Sequence, residues 1–235
     1  MPVNDFGQPV GEPVDWVPGP GLEPVVLVGR CCRLEPLGEE HVDGLYAALC
    51  LDSPPSTWTY MPAGPFADRD AFAAQVERLR TTPAMVPLAV LLPDGTPVGI
   101  ATYVRIDHAQ GTAEVGHLTF AARLQRTTAA TEALYLMASH ALDVVGLRRY
   151  EWKCDALNGP SRRAALRLGF TFEGVFRQAV VYKGRNRDTA WYSITDAEWP
   201  QLRAAFEDWL DPGNFDEHGR QVRPLSTGRA GADDE

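Results

Sequence analysis

Between Glu114 and Ala133 the chain reads EVGHLTFAARLQRTTAATEA, and these residue types suit an anion site set beside groups that can move protons. Glu114 to Phe120 has the pattern of a strand, Arg123 to Thr128 that of a polar turn, and Ala129 onward that of a helix. A strand that passes through a short turn into a helix aims unpaired backbone N–H groups and the positive end of a helix dipole at one point, which favours phosphate. On that strand Glu114 and His117 are titratable groups able to take a proton from a nucleophile. They stand three apart, so strand alternation puts them on opposite faces and lets only one look into a given cleft. Further on, Asn158 and Ser161 open a short helix. The Ser161 hydroxyl can either donate a proton to chemistry or satisfy the helix's own amides.

The elements that must position these groups follow from pattern. Residues 1–24 hold six prolines and four glycines, which excludes regular structure and predicts an extended arm draped over the domain through Phe6, Val10, Val14, Trp16 and Val17. Val25 to Leu34 reads as one strand. Glu39 to Leu49 reads as a helix with Val42, Leu45, Tyr46 and Leu49 on one face, and Trp58 to Pro62 as an aromatic loop that serves core packing or a pocket wall. Asp68 then caps a helix carrying Phe72, Val76 and Leu79. Leu88–Leu92, Val98–Ile106 and Thr112–Phe120 form a three-strand antiparallel meander about two tight turns. The helix that follows ends at Gly146, Arg148–Asp155 is a strand parallel to the one before it, and Asn158–Leu168 is a short helix. A hairpin over 170–194 and an amphipathic helix over 199–210 complete the domain. Residues 211–235 show no apolar period and are expected to fray.

Composition narrows the partners. The 235 residues suffice for one well-cored domain. A formal net charge of −9 disfavours nucleic acid and anionic membrane and favours a cationic amine. Four cysteines, Cys31, Cys32, Cys50 and Cys154, include no CxxC pair, and no histidine lies near them at ligand spacing. They read as free thiols of a reducing compartment, hence a cytoplasmic protein, with no metal site. No apolar run approaches the roughly 20 residues of a membrane span, and the N-terminus lacks the charge pattern of a secretory signal.

Strand, turn and helix in this order make an α+β domain. Two motifs add identity. Gln125-Arg126-Thr127-Thr128-Ala129-Ala130 is similar to the phosphate-cradling signature Q/R-x-x-G-x-G/A of the GCN5-related N-acetyltransferases (GNAT), with Thr128 where glycine is usual. Asn158-x-x-Ser161-x-x-Ala164-x-x-x-Leu168-Gly169-Phe170, one helix and one strand downstream, resembles their second motif. From Val25 to Leu210 the chain resembles the branch that contains the ribosomal-protein alanine and serine N-acetyltransferases.

The resemblance implies a mixed, mostly antiparallel sheet splayed between two parallel strands, with acetyl-CoA wedged in the splay. Its pantetheine arm would run along Leu118, Thr119 and Phe120 and bond Asn158, and its pyrophosphate would lie on the amides of 125–130. Many members carry a tyrosine acid at the position of Ala165, so the resemblance passes that role to Ser161. The proton acceptor is Glu114 or His117, with Asp155, Glu151 and solvent as alternatives. The acceptor is a small-molecule or peptide amine, bound between the loop 53–65 and the hairpin segment 180–187, and the protein is a monomer or homodimer. A domain that binds without catalysis, and a transferase for a longer acyl-CoA, share the same motifs.

Overall fold

A computed structural model describes residues 1–228. Eight strands form one sheet in the order β1-β2-β3-β4-β5-β6-β8-β7, flanked on both faces by helices. The strands are β1 (Leu27–Val28), β2 (Arg33–Pro36), β3 (Val86–Leu91), β4 (Pro97–Asp107), β5 (Thr112–Phe120), β6 (Arg149–Asp155), β7 (Thr171–Tyr182) and β8 (Arg185–Thr195). The helices are α1 (Val42–Tyr46), α2 (Arg69–Thr81), α3 (Thr128–Ser139), α4 (Gly159–Arg167) and α5 (Trp199–Leu210). Every strand pair is antiparallel except β5–β6.

Two apolar layers sandwich the sheet. On one face Leu45, Leu49, Trp58, Phe72, Val76 and Leu79 from α1, the helical turn 47–51 that continues it, the aromatic loop and α2 pack on Ala89 and Ile100. On the other, Met137 of α3, Ala165 of α4 and Trp199 and Phe206 of α5 pack on Tyr103, Val115, Tyr150 and Trp152. Burying one such Leu or Phe side chain is worth roughly 1.5–3 kcal/mol, enough to hold the short α1 that propensity alone would not keep. Asp68 caps α2 as its sequence indicates, accepting from the Ala71 amide at 2.8 Å.

Where the chain departs from its sequence pattern, a buried polar contact or a bulge is the cause. The strand expected over Val25–Leu34 breaks into β1 and β2, and Cys31 and Cys32 lie in the turn between them. That turn wraps the carboxylate of Glu132 on α3, which is 5% exposed and accepts the amides of Arg30 (2.9 Å), Cys31 (2.6 Å) and Cys32 (3.0 Å). All four cysteines are free. Of the apolar residues expected to hold the arm 1–24 on the domain, Phe6, Val10, Val14 and Val17 are exposed; Trp16 donates its indole N–H to the Gly146 carbonyl at 2.9 Å, and its ring crowds Gly111, whose φ of +65° reserves the position for glycine.

Residues 211–228 are anchored to the domain at two points. Asn214, 1% exposed, donates to the carbonyls of Trp209 and Arg223 and accepts the Arg223 amide, while Thr227 packs against Gly169. This is a polar latch, which no apolar period announces. The expectation for 229–235 lies outside the described residues. No helix among the described residues is long and apolar enough to cross a membrane.

Candidate active site

The parallel pairing of β5 and β6 ends at Val115–Trp152. Beyond that rung β5 stays with β4 and β6 stays with β8, so the sheet splays open between Gly116–Phe120 and Lys153–Asp155. The backbone of Leu118, Thr119 and Phe120 is thereby left without a neighbouring strand on one edge. The Thr119 side chain, 4% exposed, turns away from that edge towards Met61.

At the end of β5 the turn enters α3. Arg126 takes the left-handed conformation (φ +62°), and Thr127 is the extended N-cap, its hydroxyl accepting from the Ala130 amide at 3.2 Å. Thr128 is the first residue of the helix proper, so its φ does not require glycine. A side chain there costs only room towards a ligand. Among the described residues the first-turn amides of Thr128 and Ala129 have no partner within the chain, which is the arrangement a pyrophosphate needs. The Gln125 side chain serves the turn itself, because its amide nitrogen donates to the Phe120 carbonyl at 2.8 Å and fastens the turn to the end of β5.

On the α3 face of the splay, Asn158 caps α4 by accepting from the Ser161 amide at 3.2 Å. Its side-chain nitrogen makes no hydrogen bond among the described residues and so remains able to donate. The Ser161 hydroxyl accepts from the indole N–H of Trp152 at 3.0 Å. That contact fills an acceptor position and leaves the hydroxyl proton to be donated, with the Cys154 thiol as one acceptor within its reach. The Cys154 thiol lies beside it; burial pushes that thiol's pKa up, against the pull of the Ser161 hydrogen bond.

The opposite face holds Glu114 and His117, and here alternation misleads. Ile100 opposes Thr119 and Thr102 opposes Gly116, so the single residue Ala101 faces both His117 and Leu118. His117 is the bulged residue, at φ +47°. The bulge changes the parity of β5, and His117 lines one recess with Ile100 and Thr119, on the face that also carries Glu114. Glu114 and His117 therefore lie on the same side, contrary to their three-residue spacing.

Glu114 is 8% exposed. Burial pushes its pKa above the usual carboxylate value, against the attraction of Lys153 and Arg105. Its Oε2 lies 3.2 Å from Lys153 Nζ and 3.3 Å from Arg105 Nε, yet no donor is aligned on it for a hydrogen bond. Lys153 instead donates to Glu151 Oε2 at 2.6 Å and sits 3.7 Å over the Trp191 ring. His117 has its pKa lowered, by burial first and then by Arg78 and Arg187, which keeps the ring neutral at physiological pH.

Asp155 is held by the Leu157 amide and the Tyr182 hydroxyl, each at 2.8 Å, and Glu151 by Arg149 and Lys153. Ser161 and Glu114 thus stand on opposite faces of one opening: Ser161 bonded to Trp152, and Glu114 next to Val115, the two residues of its last rung. Over the acceptor face, Tyr60 donates to the Leu157 carbonyl at 3.0 Å and Lys183 to the Trp58 carbonyl at 2.6 Å. The first contact joins the aromatic loop to the turn between β6 and α4, and the second joins it to the tip of the β7–β8 hairpin.

Sequence reasoning missed Glu132, Lys153 and the β8 residues that floor this face. The signal for Glu132 was a lone acid on an apolar helix, a position that calls for a buried partner. No group of three or more His, Cys, Asp or Glu able to hold a metal ion occurs among the described residues.

Comparison with known proteins agrees with this geometry. A family model described as acetyltransferase (GNAT) domain matches residues 32–171. The ribosomal-protein-serine acetyltransferase of Escherichia coli (strain K12) is 25% identical over 163 residues, covering 66% of this chain and 87% of its own. A crystal structure of a GCN5-related N-acetyltransferase from Brucella melitensis superposes with a TM-score of 0.87 at 42% identity, over 90% of this chain and 97% of that one. The microcin C7 self-immunity acetyltransferase MccE, solved with acetyl-CoA and AMP, shares the fold at a TM-score of 0.63 and 22% identity, over 71% of this chain and 93% of its own. The splayed sheet, the helix-start amides at its edge and the family match together make this chain a member of the GNAT acetyltransferase family.

Proposed function

We propose that the protein transfers the acetyl group of acetyl-CoA to a primary amine by direct attack in a ternary complex. The observation that carries this reading is the splay beyond Val115–Trp152, with unpartnered helix-start amides and the Ser161 hydroxyl on one face and the buried Glu114 carboxylate on the other. Acetyl-CoA supplies the activated acyl carbon when bound.

The chain's own residues do the rest. The Thr128 and Ala129 amides bind the pyrophosphate, the free edge of Leu118–Phe120 and the Asn158 side-chain amide align the pantetheine arm, and Ser161 gives its proton to the departing thiolate. Glu114 receives the proton of the attacking amine, because its raised pKa makes it a better base than an ordinary surface carboxylate. His117, neutral and on the same face, lines the acceptor recess.

The test is CoA thiol release from acetyl-CoA over a panel of amines that includes peptide N-termini, together with calorimetric binding of acetyl-CoA. Ser161→Ala should lower turnover by roughly 10²-fold with little change in acetyl-CoA affinity. Acetyl-CoA binding without turnover on any amine would reject the reading, and an unchanged chemical step in the variant would reduce Ser161 to a helix-start residue.

A further inference from the structure

The acceptor face is floored by β8, and the three residues that face it in turn, Arg187, Thr189 and Trp191, each hold a buried polar atom with no partner: Nε, Oγ1 and Nε1. Register places Thr189 opposite Asp155 and Trp191 opposite Lys153, at the arm of β6 that leaves β5. Thr189 is 5% exposed, so its idle hydroxyl lies in a nearly dry place.

The contrast between the two cations of this face is informative. Lys153 is satisfied by Glu151, Glu114 and the Trp191 ring. Arg187 has no carboxylate within ion-pair distance among the described residues, and the Tyr182 ring lies 6.0 Å from its guanidinium carbon.

The neighbouring acids are engaged elsewhere. Asp155 holds Tyr182 and the Leu157 amide, and Asp188 holds the Gln178 amide and Asn186. Arg187 and Arg78 both lie near enough to His117 to act on it electrostatically, positive charge on this face of a chain of net charge −9. A half-buried guanidinium with a donor and a hydroxyl donor left over is a fork built for a carboxylate.

We propose that Arg187, with Thr189 beside it, binds a carboxylate on the acceptor, so that the acetylated molecule carries an anionic carboxyl group at a distance from its amine. The inference deepens the acetyl-transfer reading and rests on it for the reaction, though not for the anion contact. Thr189 lies three rungs along β6 from the last β5–β6 pair, about 10 Å at strand rise. A carboxylate separated from the amine by several bonds suits that spacing better than an α-amino acid. The carboxylate comes from a free ω-amino acid or from an acidic side chain near a peptide N-terminus.

Two measurements test this. Thiol release is followed for ω-amino acids of increasing chain length, each against its carboxamide, and for a peptide beginning Ser-Glu against one beginning Ser-Gln. The parent should favour the carboxylate member of at least one pair by roughly 10- to 100-fold in kcat/KM, mostly through KM. Arg187→Gln should bring that ratio towards one, with Arg187→Lys and Thr189→Val between. The pair that discriminates names the source. Equal rates within every pair, or a preference that survives Arg187→Gln, would overturn the proposal.

Independently of turnover, the arginine Nε–H resonance missing from the Arg187→Lys spectrum is titrated with glutarate and with glutaramide in ¹⁵N-labelled protein. A saturable shift with glutarate alone is expected. No shift, or the same shift with both, refutes the anion contact. Turnover failing on all amines while glutarate still moves the resonance would instead fault the acetyl-transfer reading.

Discussion

Glu132 offers the sharpest test of how the site is held. Its two carboxylate oxygens accept three backbone amides at 2.6–3.0 Å, and the Cys32 thiol approaches Oε2 at 3.6 Å. These contacts tie the β1–β2 turn to the first half of α3, the helix whose start faces the splay. In Glu132→Gln the carbonyl can occupy the Oε2 position and keep the amides of Cys31 and Cys32. The amide nitrogen then meets the Arg30 N–H donor to donor.

Hydrogen bonds to a charged group are worth about 1.5–3 kcal/mol and neutral ones about 0.5–1.5. Two weakened bonds therefore cost about 1 kcal/mol each, and one lost bond with an orphaned donor adds about 1–3 kcal/mol. The sum is about 3–5 kcal/mol, a large part of a stability of about 5–15 kcal/mol, and about 6–20 °C in Tm for a chain of this size. Glu132→Ala, which orphans all three amides, should cost at least as much. Equilibrium urea unfolding measures the loss, and hydrogen exchange at Arg30, Cys31 and Cys32 locates it. A Gln variant within about 1 kcal/mol of the parent, or exchange unchanged at those amides, would refute the argument.

Thr128→Glu should weaken acetyl-CoA binding tenfold or more, about 1.4 kcal/mol, by placing like charge at the helix start, whereas Thr128→Gly should keep or improve it. Calorimetry that finds no change with Glu would move the pyrophosphate elsewhere. For the base, the acid limb of turnover should lie above the ordinary glutamate value of 4.5, because burial raises Glu114. Measured with two amines whose pKa values differ by a unit or more, that limb should stay in place for the parent and His117→Gln and vanish in Glu114→Gln. A limb that follows the acceptor in all three proteins would eliminate both residues as bases. The pKa of Glu173 is lowered chiefly by hydrogen bonds from Arg149, and Glu151 is lowered because Lys153 and Arg149 outweigh its burial. Both contribute stability that is present above the ordinary value of 4.5 and lost as pH falls through their depressed values. Urea midpoints on either side of that value should show the loss in the parent and a shallower one in Arg149→Gln. Equal slopes would assign the acid sensitivity to other groups.

What the sequence determined by itself is what local pattern encodes. The meander of β3, β4 and β5, the capped α2, the crossover α3 to a parallel β6, and the two motifs at the helix starts were all legible, because alternation, capping residues and turn residues act within a few positions of one another. The positions of Thr128 and Ser161 beside the splay follow from the same patterns.

What only the tertiary structure decided depends on contacts between distant segments. The strand pattern at Val25–Leu34 gives way to a turn because Glu132, about a hundred residues away in sequence, presents a buried carboxylate that three amides can satisfy at once. Asn214 orders the C-terminal segment through backbone groups and not through an apolar face. The placement of His117 with Glu114 turned on a bulge, one extra residue that reverses alternation and is set by pairing with β4. Which cations are satisfied, Lys153, and which is left with a donor to spare, Arg187, is decided by the placement of acids from β5 and β6 on one face of the sheet. Charge pairing of that kind has no period along the chain, so it emerges only when the strands are in register.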